Sequence, residues 1–169
     1  MTKSLTSLGY RSDTLTMTLV ELIKPELILT NVHCASKDDL IRDIVEKIYS
    51  AGVVPPISQD VLLQAILKRE QIGGTLLPSG LSLPHARLKD YDSFILALGT
   101  TKEPLFYEET QLRLMALMIS SQTGGAHYLP AVAALTKISR DSEFLSRLGK
   151  AENTEDFIGL LKEKDQKLT

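Results

Sequence analysis

The run Leu114-Met-Ala-Leu-Met-Ile119 places six apolar residues in succession, and no longer apolar stretch constrains the chain. It has the length of a strand and falls far short of the roughly 20 residues a membrane-spanning helix needs. A second apolar stretch, "SFILALGT" from Ser93 to Thr100, precedes it, and the turn-like "KEPLFYEET" separates the two. Around these strand candidates lie segments with helical spacing. "SKDDLIRDIVEKIYSAG" has a capping-box signature at Ser36 and Asp39, an apolar stripe of Leu40, Ile41, Ile44, Val45 and Ile48, and a terminating Gly52. "SQDVLLQAILKRE" repeats the pattern, with Ser58 as cap, Val61, Leu62, Ala65 and Ile66 facing inward, and Arg69 and Glu70 on the last turn. "GGAHYLPAVAALTKIS" reads as a helix from about Gly125; Pro130 fits only a first turn, which sets His127 at or beside the helix N-terminus. Two short helices, "DSEFLSRLG" and "NTEDFIGLLKEK", close the chain. Interspersed helices and strands imply a layered α/β fold.

At 169 residues the chain suits one domain with a sizeable core. Residues 1–16, rich in Ser and Thr and without apolar periodicity, read as a flexible N-terminal tail, and 17–169 as the single domain. Ahead of the second helix, "LVELIKPELILTNV" reads as a helical turn, a breaker at Pro25 and a strand from Leu27 to Val32. Nineteen Lys and Arg face twenty-one Asp and Glu, so no basic excess exists to track a nucleic-acid backbone. The N-terminus has no apolar signal segment. Cys34 is the only cysteine, which removes any disulfide framework and any cysteine-based zinc site. These features describe a cytoplasmic protein without direct membrane insertion.

The chemistry concentrates in "GGTLLPSGLSLPHARLKDYDSF", Gly73 to Phe94, which carries one of only three histidines. Neutral imidazole is a competent nucleophile, and glycine-bearing loops let backbone N–H groups approach an anion. His85 therefore suits phosphoryl chemistry, where positioning and charge neutralisation dominate; spacing alone equally allows a histidine that satisfies a turn. His127, at a helix N-terminus, can bind the same anion or simply open its helix. Arg69 can fork two phosphate oxygens or pair with Glu70. Thr75 adds a hydroxyl donor, and Arg87 is either a further cation or surface charge. His33, beside Cys34, reads as structural. No dinucleotide fingerprint, P-loop, nucleophile elbow or H-E-x-x-H zinc motif occurs, so neither a metal nor an organic cofactor is expected.

"LKREQIGGTLLPSGLSLPHAR" resembles the mannitol/fructose-class IIA domains of the bacterial phosphoenolpyruvate-dependent sugar phosphotransferase system, a family that includes the nitrogen-regulatory IIA proteins. The matching residues are Arg69-Glu70, Thr75, Gly80 and the "LSLPH" turn. The resemblance continues through "FILALGTTKEPLFYEETQLRLMALMIS" to "GAHYLPAVAALTKISRD", and upstream through "LVELIKPELILTNVHCASKDDLIRDIVEKI", so it covers residues 17 to 163. It implies a three-layer α/β/α sandwich around a mixed β-sheet. It further implies that His85 is phosphorylated by the phosphohistidine of the carrier protein HPr, that His127 and Arg69 stabilise the phosphoryl group, and that Thr75 and Gly80 belong to the phosphate loop. Leu76 and Pro78 depart from the family by replacing loop glycines, and Pro78 also removes a donor.

Two outcomes follow from the resemblance. A transport-type protein passes the phosphoryl group to a IIB component and thence to sugar; a regulatory one changes its target protein with its phosphorylation state. The absence of a IIB-like cysteine motif, a permease segment or a DNA-binding region tilts the expectation toward regulation. The alternative is a degenerate IIA-fold binding module that is not phosphorylated, motivated by the loop departure.

Overall fold

The computed structural model describes residues 17–53 and 55–168; the N-terminal tail read in the sequence lies outside them. A short helix α1 (Leu19–Leu22) and a 3-10 turn opened by Pro25 lead into strand β1 (Ile28–Val32). Helices α2 (Lys37–Ser50) and α3 (Gln59–Ile72) follow. Their caps form as the sequence predicts: the Ser36 hydroxyl accepts from the Asp39 N–H at 3.1 Å, and Ser58 from that of Val61 at 3.2 Å.

Next come β2 (Leu81–Ser82), β3 (His85–Leu88), β4 (Ile95–Thr101) and β7 (Leu114–Ser121) of the main sheet, with the small hairpin β5 (Leu105–Tyr107) and β6 (Thr110–Leu112) before β7. The stretch read as turn-like thus folds into strands of its own, reversed at Glu108 with φ +58°. Helices α4 (Gly125–Ser139), α5 (Ser142–Gly149) and α6 (Thr154–Leu168) complete the described chain.

The main sheet is mixed. β1 lies parallel to β4, β4 antiparallel to β7, and β2 and β3 both run parallel to β7 along its other edge. Pro84 divides that edge strand, because it has no N–H for a ladder; its carbonyl still accepts from Met118 N–H at 2.9 Å. Period-two alternation sorts β7 between two apolar layers. Leu114, Ala116 and Met118 join a core with α4, α5 and α6, while Met115, Leu117 and Ile119 face α2 and α3. The α/β/α sandwich follows from that division.

Two local readings change. Val61 is 57 % exposed and Ala65 is exposed too, so the buried face of α3 is Leu62, Ile66, Leu67 and Glu70. The helix turns its face toward β3, and the apolar pattern alone does not show that rotation. Pro130 sits inside α4, in its second turn, rather than in the first. His127 nevertheless lies in the first turn.

Candidate functional site

His85 begins β3 immediately after the Pro84 interruption. Alternation sends Ala86 and Leu88 into the core under α2 and α3, and leaves His85 and Arg87 on the opposite face. There both meet Tyr128 of α4. The imidazole stacks on the phenol ring with centroids 4.6 Å apart and planes 15° apart, and the Arg87 guanidinium lies 5.3 Å from the same ring's centroid. Ser120 Oγ stands 2.9 Å from His85 Nε2 and donates to the carbonyl of Ser121 at 3.1 Å. Stack and hydroxyl together set the ring's rotation.

Burial, then the positive charges of Arg87 and Arg69, lower the His85 pKa from 6.5 to about 4. At pH 7 the cationic form is then about one part in a thousand, and the ring is a neutral base. His85 opens on a cavity of about 560 Å³ whose walls include Arg69, Thr75, Leu77, Leu83, Arg87 and Tyr128. Two guanidinium groups, an imidazole and a hydroxyl border one apolar-walled recess. It is a setting for a compact anion that accepts a nucleophile.

Arg69, exposed on the last turn of α3, donates to the Gly73 carbonyl at 3.0 Å and stays at the cavity wall. It does not pair with Glu70. That carboxylate is 7 % exposed and meets Lys37 Nζ at 3.2 Å and the Thr75 hydroxyl at 3.1 Å, both through Oε1. Its Oε2 is buried with no hydrogen-bond partner. The Thr75 hydroxyl thus donates to Glu70 and in turn accepts from the Leu83 N–H at 3.2 Å. It braces the approach to His85.

The departing loop residues have a local explanation. Leu76 bridges Ser82 in antiparallel fashion, and Gly80 N–H donates to the Leu77 carbonyl at 2.9 Å, so Pro78 and Ser79 form the tip of a tight hairpin. The structure does not bring Gly80 to the cavity. Its φ is +98°, and a Cβ there would lie 2.6 Å from the Gln111 carbonyl oxygen; it is glycine because β6 passes so close.

His127 is exposed, and its ring stacks near Phe94 at 6.0 Å rather than lining the cavity. The next residue, Tyr128, takes the place against His85. Tyr128, Ser120 and Lys37 are the site's neighbours that sequence reasoning missed. An aromatic adjoining the helix-start histidine, and a polar residue ending the apolar run, are the signals that mark the first two. Lys37 carries no such mark.

Among the described residues no cluster of His, Cys, Asp or Glu has the arrangement of a metal site, and no helix is long and apolar enough to cross a membrane.

Comparison with known proteins shows the family and the fold. The family model described as phosphoenolpyruvate-dependent sugar phosphotransferase system, EIIA 2, matches residues 21–164. A nitrogen regulatory protein of Bradyrhizobium diazoefficiens is 22 % identical over 148 residues, covering 86 % of this chain and 95 % of its own length. The 2-O-alpha-mannosyl-D-glycerate-specific EIIABC component of Escherichia coli is 24 % identical over 162 residues, covering 92 % of this chain; the match spans only 24 % of that longer protein. The crystal structure of nitrogen regulatory protein IIA-Ntr from Neisseria meningitidis superposes with a TM-score of 0.66 at 18 % identity, over 85 % of this chain and 98 % of its own. The Escherichia coli complex of enzyme IIA mannitol with phosphorylated IIB mannitol matches with a TM-score of 0.65 at 20 % identity, over 83 % of this chain and 97 % of the matched one. Both structures share the fold.

Proposed function

We propose that this chain, which belongs to the EIIA 2 family of the phosphoenolpyruvate-dependent sugar phosphotransferase system, is a cytoplasmic phosphocarrier that takes a phosphoryl group on His85. The observation that carries the reading is a half-buried imidazole, held by Tyr128 and Ser120, opening on a recess walled by Arg69 and Arg87. The donor is the phosphohistidine of an HPr-type carrier. A ring nitrogen lone pair of His85 attacks phosphorus in line; the new N–P bond forms as the donor's N–P bond breaks, and the donor ring leaves with the electron pair. Arg69 and Arg87 neutralise the equatorial oxygens, and the same charges that disfavour imidazolium favour the phosphoryl dianion. Leu77, Leu83 and Tyr128 keep water from the N–P bond.

In this reading His127 joins the phosphoryl group by turning its exposed ring away from Phe94 once the anion is present. The acceptor is a IIB component or a regulatory target protein. The relatives' names include both a nitrogen regulatory protein and a 2-O-alpha-mannosyl-D-glycerate-specific EIIABC component, and phosphoryl transfer to His85 serves either role.

A second reading, a IIA-fold binding module that is not phosphorylated, draws on the placement of His127 beside Phe94 and of the Thr75 hydroxyl on Glu70. Incubation with phosphoenolpyruvate, enzyme I and HPr separates the two. The phosphocarrier gives an acid-labile, alkali-stable adduct that is lost in His85→Ala and that persists with slower transfer in His127→Ala. Labelling that survives in His85→Ala refutes the assignment, and no labelling with active cognate carriers leaves the binding module.

A further inference from the structure

A second cavity, of about 240 Å³, lies at the other end of the sheet from the N-terminus of α4. It sits among the C-terminal ends of β1 and β4, the turn before β7, and the end of α5. Its wall carries the cations Lys102, Arg113 and Lys150 and a single carboxylate, Glu152. This concentration of positive charge stands in a chain whose formal net charge is −2. Among the described residues none of the three cations has an ion-pair partner; the neighbouring Glu103 is taken by His33 at 2.6 Å.

The backbone around the cavity is built closely. A Cβ on Gly149 would lie 2.8 Å from the Arg113 carbonyl oxygen, so α5 closes tightly on the strand entrance. The β1 register slips between Leu29 and Val32, where Asn31 adopts φ +58° and its N–H bonds Thr100 Oγ1 at 2.9 Å. Such a bulge bends a strand end, and Asn31 lies in the cavity wall. The last carbonyls of α5 do not set the local potential alone, since Arg147 and Leu148 carbonyls accept from Lys150 and Ala151 N–H at 3.1 and 3.2 Å.

From this arrangement we infer that the cavity is a second anion site, separate from His85, which binds a small phosphate monoester. Three cations from three separate segments suit a group with several terminal oxygens and two charges better than a monocarboxylate, which uses a single fork. Glu152 repels a bare anion but accepts from a hydroxyl, as do Asn31 and Ser146, so the ester's organic part is hydroxylated. The volume lies below the roughly 300–1,000 Å³ of drug-sized pockets, which limits the ligand to a few carbons.

The test is titration of the full-length protein with glycerol 3-phosphate at constant ionic strength and pH 8, followed by amide NMR shifts. Inorganic phosphate and glycerol serve as parallel probes. Saturable shifts at Arg113, Gly149 and Lys150 are expected. The double variant Lys102→Gln/Lys150→Gln, altered at two exposed positions, binds at least about tenfold more weakly. Arg69→Gln, at the His85 recess, leaves these shifts and their midpoint unchanged. Non-saturating shifts, shifts confined to His85 and Arg87, or a double variant of unaltered affinity overturn the site. Inorganic phosphate binding as tightly as the ester, or glycerol binding equally, overturns the assigned ligand class. None of these outcomes depends on whether His85 is phosphorylated.

Discussion

Replacing Tyr128 with alanine isolates what the stacked ring does for His85. Three causes lower the imidazole pKa from 6.5 to about 4, and burial is the largest, ahead of Arg87 and Arg69. Burial therefore supplies more than a third of the fall. Tyr128 covers one ring face at 4.6 Å, while Ser120 and the hairpin side of the recess still enclose the rest. Opening that face returns part of the burial contribution and raises the His85 midpoint above its parent value of about 4. At pH 5 the parent ring is about nine-tenths neutral, and the variant ring is protonated to a larger fraction. Titration of the three histidine ring protons by NMR, assigned through His33→Gln and His127→Gln, reads the midpoints directly. Initial labelling rates from phospho-HPr, each normalised to its own value at pH 8, read the chemical consequence: a steeper acid fall for Tyr128→Ala. Normalisation removes a uniform loss of affinity or positioning. A parent His85 midpoint near 6.5, or an unchanged midpoint in the variant, refutes the claim that burial against Tyr128 keeps the nucleophile neutral.

Other expectations follow from the same contacts. Because His85 binds its proton more weakly folded than unfolded, stability falls as pH drops from 6.5 toward about 4; urea unfolding of His85→Asn across this window shows a shallower fall. Arg87→Gln removes the second cause of the lowered pKa, so the His85 midpoint rises in the same NMR titration. Gly80→Ala forces a side chain at φ +98° and 2.6 Å from the Gln111 carbonyl oxygen; it destabilises by about 1–3 kcal/mol from backbone strain alone, seen as a lower urea midpoint. Glu70→Ala leaves the largely buried Lys37 ammonium without its partner and costs about 3–5 kcal/mol in the same assay.

Helix caps at Ser36 and Ser58, the apolar stripe of α2 and the strand character of Leu114–Ile119 were legible in the linear order, because each rests on neighbours within one turn or one pleat. His85 stood out for similar reasons: a scarce imidazole directly after proline in a loop of small residues. Arg69 was legible as a cation preceding that loop. The rotation of α3, which exposes Val61 and buries Glu70, was not, since two helical phases bury comparable apolar surface and the neighbouring sheet selects between them.

The site itself belongs to the folded state. His85 faces Met118 across the parallel β3–β7 ladder, a register that sets Ser120 Oγ beside the ring although 35 positions separate the two residues. The packing of α4 then decides that Tyr128, and not its neighbour His127, covers the imidazole. Helical and pleated periods repeat locally and can be read along the chain. Strand register, helix rotation and the pairing of Lys37 with Glu70 arise only when distant segments exclude water together, so three-dimensional packing alone settles them.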